Sequence, residues 1–145
     1  MRYFKKIVLV VLFLFMSKQD YVAQVFDWVK GISGEGVFGQ AIATDKDGNS
    51  YLTGYFFGTA EFGTNILTSS GSSDIFIAKY DNWGNCVWAQ KAGDVGIVNG
   101  DIGTGVSVDT LGNCYITGHF EGTAIFGTIT LGGSGRDIFI AKYDT

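Results

Sequence analysis

The sequence repeats itself, and this repetition constrains the fold more than any other feature. The eight residues DIFIAKYD occur at 74–81 and again at 137–144. Upstream of each copy, residues 45–64 and 109–128 share 13 of 20 aligned residues. A period of roughly 60 residues is typical of repeat proteins, in which each unit buries its apolar surface against the next. The sequence therefore predicts two copies of one structural unit.

Three turns share the motif Asp-x-x-Gly-Asn, at 45–49, 81–85 and 109–113. An Asp at the first position of a turn accepts hydrogen bonds from the backbone two residues further on. A Gly near the end of the turn adopts a positive φ that other residues resist. We therefore expect each motif to join two antiparallel strands, with positive φ at three glycines, namely Gly48, Gly84 and Gly112.

Strand-like segments flank these turns. The first unit has them at 40–45, 50–57, 74–81 and 86–91, and the second at 104–109, 114–120 and 137–144. The stretch between the second and third strands of each unit has room for a short edge strand. A further strand is expected at 26–30, because Trp28 matches Trp88 in the fourth strand of the first unit.

The repeated strand is apolar on both faces. In its first copy Ile75 and Ile77 point to one side, and Phe76, Ala78 and Tyr80 point to the other. A sheet with two apolar faces must be covered on both sides. Four-stranded antiparallel sheets stacked around an axis are the blades of a β-propeller. The prediction is an all-β fold with two four-stranded antiparallel blades.

The first residues have the order of a secretory signal peptide. Arg2, Lys5 and Lys6 form a basic head, ten apolar residues follow at 7–16, and a polar stretch comes next. As a helix the apolar run would span about 15 Å, which is too short for a hydrocarbon core of about 30 Å. We therefore expect residues 1–24 to be a signal peptide that is removed on export.

Export changes the charge of the chain. Without residues 1–24 there remain six basic and 13 acidic residues, a net charge of −7. The basic patch that marks nucleic-acid-binding proteins is then missing, as is an attraction to anionic membrane surfaces. The sequence predicts an extracellular, periplasmic or cell-surface protein without nucleic-acid partners or membrane insertion.

The combined pattern resembles the bacterial SBBP-type β-propeller repeat. The residues that carry the resemblance are G-x-x-I-A-x-D-x-x-G-N-x-Y-x-T-G-Y-F-x-G-T-A-x-F-G-T and D-I-F-I-A-K-Y-D-x-x-G-N-x-x-W-A. The resemblance covers 26–145 and implies an exported or cell-surface propeller. It carries no catalytic motif, cofactor or metal ligand that transfers to numbered residues. It agrees with a domain organisation of a partial β-propeller at 25–145, with blades at about 40–91 and 104–144.

Two blades are too few for a closed ring, since propellers use about 4–8. We expect the chain to be a fragment of a longer protein, with one sector of a head-to-tail homo-oligomer as the alternative. Its partners are then further blades of the same protein or other copies. In an oligomer, residues 26–30 of one copy would pair beside 137–144 of another, so the chain is expected to associate or aggregate.

Few residues are candidates for catalysis. His119 is the single histidine and replaces Tyr55 of the first unit, which indicates a packing role. A Ser/His/Asp set cannot be assembled at defined spacing. The carboxylates recur in repeated turns, which favours a structural role over acid–base chemistry. We predict no catalytic or cofactor-binding residue.

Two acidic stretches resemble calcium-binding loops in part. Residues 45–56 place oxygen-bearing side chains at alternating positions at their start. The stretch has Ser50 at position six, where such a loop needs Gly, and Phe56 at position twelve, where it needs Glu. The better candidate is 93–103, whose hard ligands would be Asp94, Asn99 and Asp101. A structural role is preferred for both stretches, and no metal is predicted.

The two cysteines lie in different units. Cys86 and Cys114 each follow a Gly-Asn turn, and the first unit has Ser50 in place of Cys114. An exported protein permits a disulfide, but the two Cα atoms would have to lie within about 7 Å. Two free, half-buried thiols are the preferred interpretation.

Two classes of function remain. The preferred one is a non-catalytic exported propeller segment that serves as a structural or interaction scaffold and presents loops to a protein or glycan. The alternative is the propeller portion of a secreted carbohydrate-active enzyme whose catalytic residues lie on other blades. Near-identical further blades would favour the scaffold, whereas blades with unique His, Arg or Glu residues facing the axis would favour the enzyme.

Overall fold

The computed structural model describes residues 25–94, 96 and 100–144. Within them the chain forms strands and no helix. The strands are β1 (Ser33–Thr44), β2 (Ser50–Phe62), β3 (Asn65–Thr68), β4 (Asp74–Tyr80), β5 (Cys86–Ala92), β6 (Ile102–Val108), β7 (Cys114–Phe126) and β8 (Ile129–Tyr143). The predicted all-β, antiparallel fold is confirmed, while the predicted signal peptide lies outside the described residues.

The first sheet contains β1 to β5. Its order is β1-β2-β4-β5, and β3 pairs with the outer end of β2. All four predicted strands are present in this order. β1 and β2 extend further than predicted, and β3 is the anticipated short edge strand.

The second sheet has the order β6-β7-β8. It contains three strands instead of the four of a complete unit, because the described residues include no counterpart of β5. β8 is a single long strand that combines the counterparts of β3 and β4, with a register shift opposite Glu121 and Thr123. The second sheet is therefore an incomplete copy of the first.

The strand predicted at 26–30 is wrong, since this segment belongs to neither sheet. Trp28 lies at the turn between β4 and β5, where its Nε1 donates a hydrogen bond of 3.1 Å to the carbonyl of Asn82. Its ring also packs against Gly84, where an added Cβ would lie 2.7 Å from Cδ2 of Trp28. A strand needs a hydrogen-bonding neighbour along its length, and a turn does not provide one.

The core between the two sheets is built from the faces predicted to be covered. It contains Tyr51, Ile75 and Ile77 from the first sheet and Ile116, Phe120 and Phe139 from the second. A second apolar cluster lies on the far face of the first sheet and includes Phe56, Phe62, Phe76, Ala78 and Tyr80. β4 is therefore buried on both faces, as its sequence predicted.

Each unit closes part of its second apolar face with its own hairpin. Phe62 and Phe76 lie 5.0 Å apart between ring centroids, in a tilted arrangement. The matching pair in the second unit, Phe126 and Phe139, lies 4.8 Å apart with a nearly identical tilt. The repeat thus preserves three-dimensional packing as well as sequence.

The Asp-x-x-Gly-Asn turns have the predicted mechanism. The Asp109 carboxylate accepts hydrogen bonds from the backbone N–H groups of Leu111 and Asn113, and from the Asn113 side chain. These hydrogen bonds, led by that from the Asn113 side chain, lower the pKa of Asp109. The turns at Asp45 and Asp81 have the same bonds. Positive φ is confirmed at all three predicted glycines, with values of 82° at Gly48, 78° at Gly84 and 87° at Gly112.

Polar contacts also join the two sheets. The Tyr51 hydroxyl lies 3.2 Å from the Asp45 carboxylate of its own turn and 3.2 Å from the carbonyl of Gly112 in the next unit. The backbones of Gly93 and Ile125 exchange two hydrogen bonds, at 3.3 and 3.1 Å. The sheets therefore stack through backbone and side-chain contacts as well as through the apolar core.

Candidate functional site

None of the residues that the structure describes covers one face of the second sheet. This face, here called the open face, is formed by Tyr115, Thr117, Ile138, Ile140 and Lys142. Ile138 is 85% exposed and Ile140 is 79% exposed. The same positions in the first sheet are covered by the second sheet, and they are Tyr51, Thr53, Ile75, Ile77 and Lys79. Large contiguous apolar patches on a protein surface mark interaction sites. The open face is therefore the main candidate for contact with another molecule.

The polar part of the open face is already arranged as in the buried interface. Lys142 Nζ lies 5.6 Å from the centre of the Tyr115 ring. In the covered face, Lys79 Nζ lies 5.1 Å from the centre of the Tyr51 ring. The open face thus needs little rearrangement to form the contacts that its counterpart makes.

A groove of about 310 Å³, here called the edge groove, follows the outer edge of β8. Its lining includes Phe126, Leu131, Ala141 and Tyr143, with Gln90 and Lys91 of β5 also at its wall. The counterparts of the first four in the first sheet are Phe62, Leu67, Ala78 and Tyr80, and these pack against Ala89 and Cys86 of β5. The edge groove of the second sheet thus occupies the position that β5 fills in the first sheet.

The inner end of the first sheet also carries exposed apolar residues. Ile42 is 63% exposed, although its counterpart Val106 packs against the core between the sheets. On the opposite face of the same sheet, the ring of Phe38 stacks on Tyr55 at 4.8 Å and meets Phe57 edge-on at 6.1 Å. Ile42 therefore marks a surface of the first sheet that lacks the cover its repeat counterpart has.

Two buried carboxylates meet near the loop that connects the sheets. Asp74 is 1% exposed; its Oδ2 accepts hydrogen bonds from Lys91 Nζ at 3.2 Å and from the Ser70 N–H at 3.0 Å. Its Oδ1 has no hydrogen-bond partner among the described residues. An oxygen of Asp74 and one of Asp101 both lie within 3.0 Å of the point where a Cβ on Gly93 would stand. Gly93 is required there because a side chain would collide with Asp74.

Burial raises the pKa of Asp101 to about 6, and the negative charges of Asp94 and Asp74 add to this effect. The backbone N–H of Glu121 opposes it by donating to Asp101 Oδ1 at 3.2 Å. A carboxyl group with this pKa can carry a proton close to neutral pH. Asp101 is therefore a group at the junction between the sheets whose protonation can change close to neutral pH.

In the described part of the chain, no group of three or more His, Cys, Asp or Glu side chains is arranged to hold a metal ion. The Asp45 carboxylate is occupied by the N–H groups of Asp47 and Asn49. Asp94 accepts a hydrogen bond from the Gly96 N–H. Asn99 lies outside the described residues.

His119 lies on β7, in register with Ile102 on one side and Ile138 on the other. Burial lowers its pKa, and the positive charge of Arg136 lowers it further. His119 therefore lies on the same face of the second sheet as Ile138, and its packing role stays a prediction.

The two cysteines are free thiols. Cys114 is buried in the core between the sheets, and burial raises its pKa to about 11. Cys86 packs against the cluster on the far face of the first sheet, beside Tyr80. Their placement on opposite faces explains why no disulfide joins them.

Sequence reasoning missed the carboxylate pair and the uneven exposure of the repeated strand. Asp74 and Asp101 belong to no shared motif, and they meet because the loop after β5 returns to the start of β4, where the Asp101 N–H donates to the Ser73 carbonyl. The signal for the open face was present but ambiguous, because both copies of DIFIAKYD are identical in sequence.

The stacked antiparallel sheets and the repeated core define an all-β repeat protein. The model of the SBBP family, described as a β-propeller repeat, matches residues 28–55. An uncharacterized WD repeat-containing protein of Acanthamoeba polyphaga mimivirus is 31% identical over 105 residues, which cover 60% of this chain and 7% of that protein. The chain thus spans a small part of the length of this relative. Both similarities support a repeat scaffold.

The match to the repeat model begins at Trp28 and ends at Tyr55, within β2. It therefore includes the N-terminal segment that lies outside both sheets. Over the part of the chain that the structure describes, there is no helix with the length and hydrophobicity of a membrane span.

Proposed function

We propose that the chain is an exported, non-catalytic β-propeller repeat segment that acts as a scaffold by stacking on further blades or further copies. The observation that carries the proposal is the open face. Ile138 and Ile140 are exposed at the positions where Ile75 and Ile77 are buried by a stacked sheet. Covering Ile138 and Ile140 would remove apolar surface from water, as the second sheet does for Ile75 and Ile77.

The gain expected from covering this face is substantial. Full burial of an Ile side chain is worth about 1.5–3 kcal/mol, so two of them provide a strong drive for association. The complementary surface exists on the first sheet, where Ile42 lacks the cover that its counterpart Val106 has. A head-to-tail arrangement would cover both surfaces at once.

The test is light scattering on the purified chain across a dilution series. We expect the wild type to associate and Ile138→Glu/Ile140→Glu to remain monomeric at the same concentrations, because burying two carboxylates without partners is costly. The matched control is Ile66→Glu/Leu111→Asp, which changes two exposed apolar residues elsewhere. A wild type that is monomeric throughout, or a control that loses association equally, contradicts the proposal.

Export is tested separately. Residues 1–24 are fused to a reporter enzyme that becomes active only outside the cytoplasm, and the exported protein is sequenced from its N-terminus. We expect export with cleavage near Ala23 or Gln24. A reporter retained in the cytoplasm would contradict the exported location and leave the stacking proposal to its own test.

A further inference from the structure

The fourth strand of the second sheet is missing from the described residues, and the first sheet shows what that strand would do. In the first sheet, β4 pairs with β5 in a register that places Ala78 opposite Ala89 and Lys79 opposite Trp88. β8 repeats the sequence of β4 through residues 137–143, yet its outer edge has no partner among the described residues. An unpaired strand edge is a template for strand addition.

We propose that residues 28–32 of a second copy of this chain dock on β8 as its fourth strand. The inference rests on the proposed scaffold function and names the partner for one of its surfaces. Aligned on the two tryptophans, Trp28 corresponds to Trp88 and Val29 corresponds to Ala89. Val29 of the second copy then lies opposite Ala141 and fills the edge groove.

The edge groove fits this occupant. Its lining includes the apolar side chains of Leu131, Ala141 and Tyr143, and its volume of about 310 Å³ has room for a side chain larger than the alanine found in β5. Val29 is 84% exposed in its own chain and is therefore available to enter. Its burial would remove apolar surface on both molecules from water.

The donor segment already lies where the last strand of a preceding sheet would lie. Lys30 and Gly31 line a hollow of the first sheet together with Gly63 and Tyr80. In the same way Gln90 and Lys91 of β5 line the edge groove beside Gly127 and Tyr143 of the second sheet, and these are matching positions of the repeat. Residues 28–31 therefore lie beside the first sheet in the same position that β5 takes beside the second sheet.

Docking consequently needs no release of Trp28 from the Asn82 carbonyl. It also brings two further surfaces together, because the open face of the accepting copy then faces the first sheet of the donor copy. Ile138 and Ile140 of one copy would cover the side of the first sheet that carries Ile42 in the other. Strand addition and face-to-face stacking are thus two parts of one head-to-tail contact.

The experiment is disulfide trapping between two differently labelled chains, both in a Cys86→Ser/Cys114→Ser background. Serine is suitable at 114 because Ser50 holds the matching position. One chain carries Val29→Cys and the other Ala141→Cys, and copper-phenanthroline is the oxidant that accepts the two thiol electrons. Directly opposite residues of an antiparallel pair have Cβ atoms about 4.5–5.5 Å apart, so small adjustments permit a disulfide.

We expect the mixed pair to form the covalent dimer several-fold more than a control pair of Val25→Cys with Ala141→Cys. Val25 is equally exposed but lies four residues out of register. Circular dichroism verifies that all variants fold. Equal amounts of covalent dimer from the two pairs overturn the inference. A single chain that carries both Val29→Cys and Ala141→Cys, and that forms the disulfide internally at a rate independent of protein concentration, overturns it as well.

The two proposals fail in different ways. If trapping fails while Ile138→Glu/Ile140→Glu still abolishes association, the open face stacks without strand addition and only the inference is lost. If the wild type is monomeric throughout the dilution series, the proposed function is lost as well. In a longer chain, a following segment of the same chain could occupy the edge groove. Ala141→Cys would then form a disulfide with neither Val29→Cys nor Val25→Cys of a second copy. This result would also refute the second copy as occupant.

Discussion

Ile75 and Ile138 hold the same place in two identical eight-residue segments of sequence, yet Ile75 is completely buried and Ile138 is 85% exposed. The difference lies in what stands in front of each strand. The second sheet covers β4, whereas none of the described residues covers the same face of β8. One amino-acid string thus has two energetic environments within a single chain.

This difference predicts unequal costs for equal substitutions. Ile75→Ala should reduce the free energy of unfolding by about 2–5 kcal/mol, because it leaves a cavity in the core between the sheets. Ile138→Ala should change it by no more than about 0.5 kcal/mol in a dilute, monomeric sample. Urea unfolding at low protein concentration measures both. Similar losses for the two variants would contradict the structure.

The Tyr51 hydroxyl is expected to contribute to the junction between the units. Tyr51→Phe removes its contact with the Gly112 carbonyl, while Tyr115→Phe removes a hydroxyl that bonds to Asp109 within one turn. Tyr51→Phe should therefore cost about 0.5–1.5 kcal/mol more than Tyr115→Phe. Thermal and urea unfolding provide the comparison, and equal costs would show that the contact between units is energetically neutral.

Gly112 has a φ of 87°, which a β-branched residue adopts only with strain. Gly112→Val should cost about 1–2 kcal/mol or more. Gly132→Val is the control, because Gly132 lies within β8 with open space around it and without a positive φ. Urea unfolding of the two variants measures the difference. A control that is as destabilised as Gly112→Val would mean that the turn conformation is not the cause.

Asp101 should make stability depend on pH between about 4 and 6. Its pKa in the folded chain is about 6 against an ordinary value of 3.8, so the folded state holds the proton more tightly than the unfolded state. Stability is then highest below the ordinary pKa and falls as pH rises towards 6, by at most about 3 kcal/mol.

Unfolding measured across this pH range checks the prediction. Asp101→Asn should flatten the profile, because the amide does not titrate. Asp47→Asn is the matched control, because it makes the same substitution at an exposed position beside Lys46. Parallel profiles for the wild type and Asp101→Asn would refute the role of this carboxyl group.

Local chemistry explains what could be predicted from the sequence. The turn around Asp109 is stabilised by bonds to residues two and four positions away, so the motif contains all its partners. The alternation of Ile75 and Phe76 similarly identified two buried faces. The predicted strand ends were less accurate, because β1 and β2 continue to pair as far as Ser33 opposite Glu61, and β2 also pairs with β3 in this region.

Long-range relationships could not be predicted in the same way. Asp74 and Asp101 lie close together beside Gly93 because residues far apart in the sequence are brought together, and no repeated motif specifies this. The segment around Trp28 resembles β5 in sequence, but it pairs with no strand among the described residues. Identical strings at 74–81 and 137–144 cannot reveal which copy is covered, since exposure is decided by the neighbouring sheet.

The paired backbone bonds between Gly93 and Ile125 have a consequence for the dynamics of the molecule. These bonds cross from the end of β5 to β7, so the amide protons of both residues are shielded only while the two sheets stay together. Their rates of exchange with deuterated solvent would report the opening of the junction separately from fraying within either sheet. Hydrogen exchange at these two amides would therefore show whether the two repeat units unfold together in one cooperative transition.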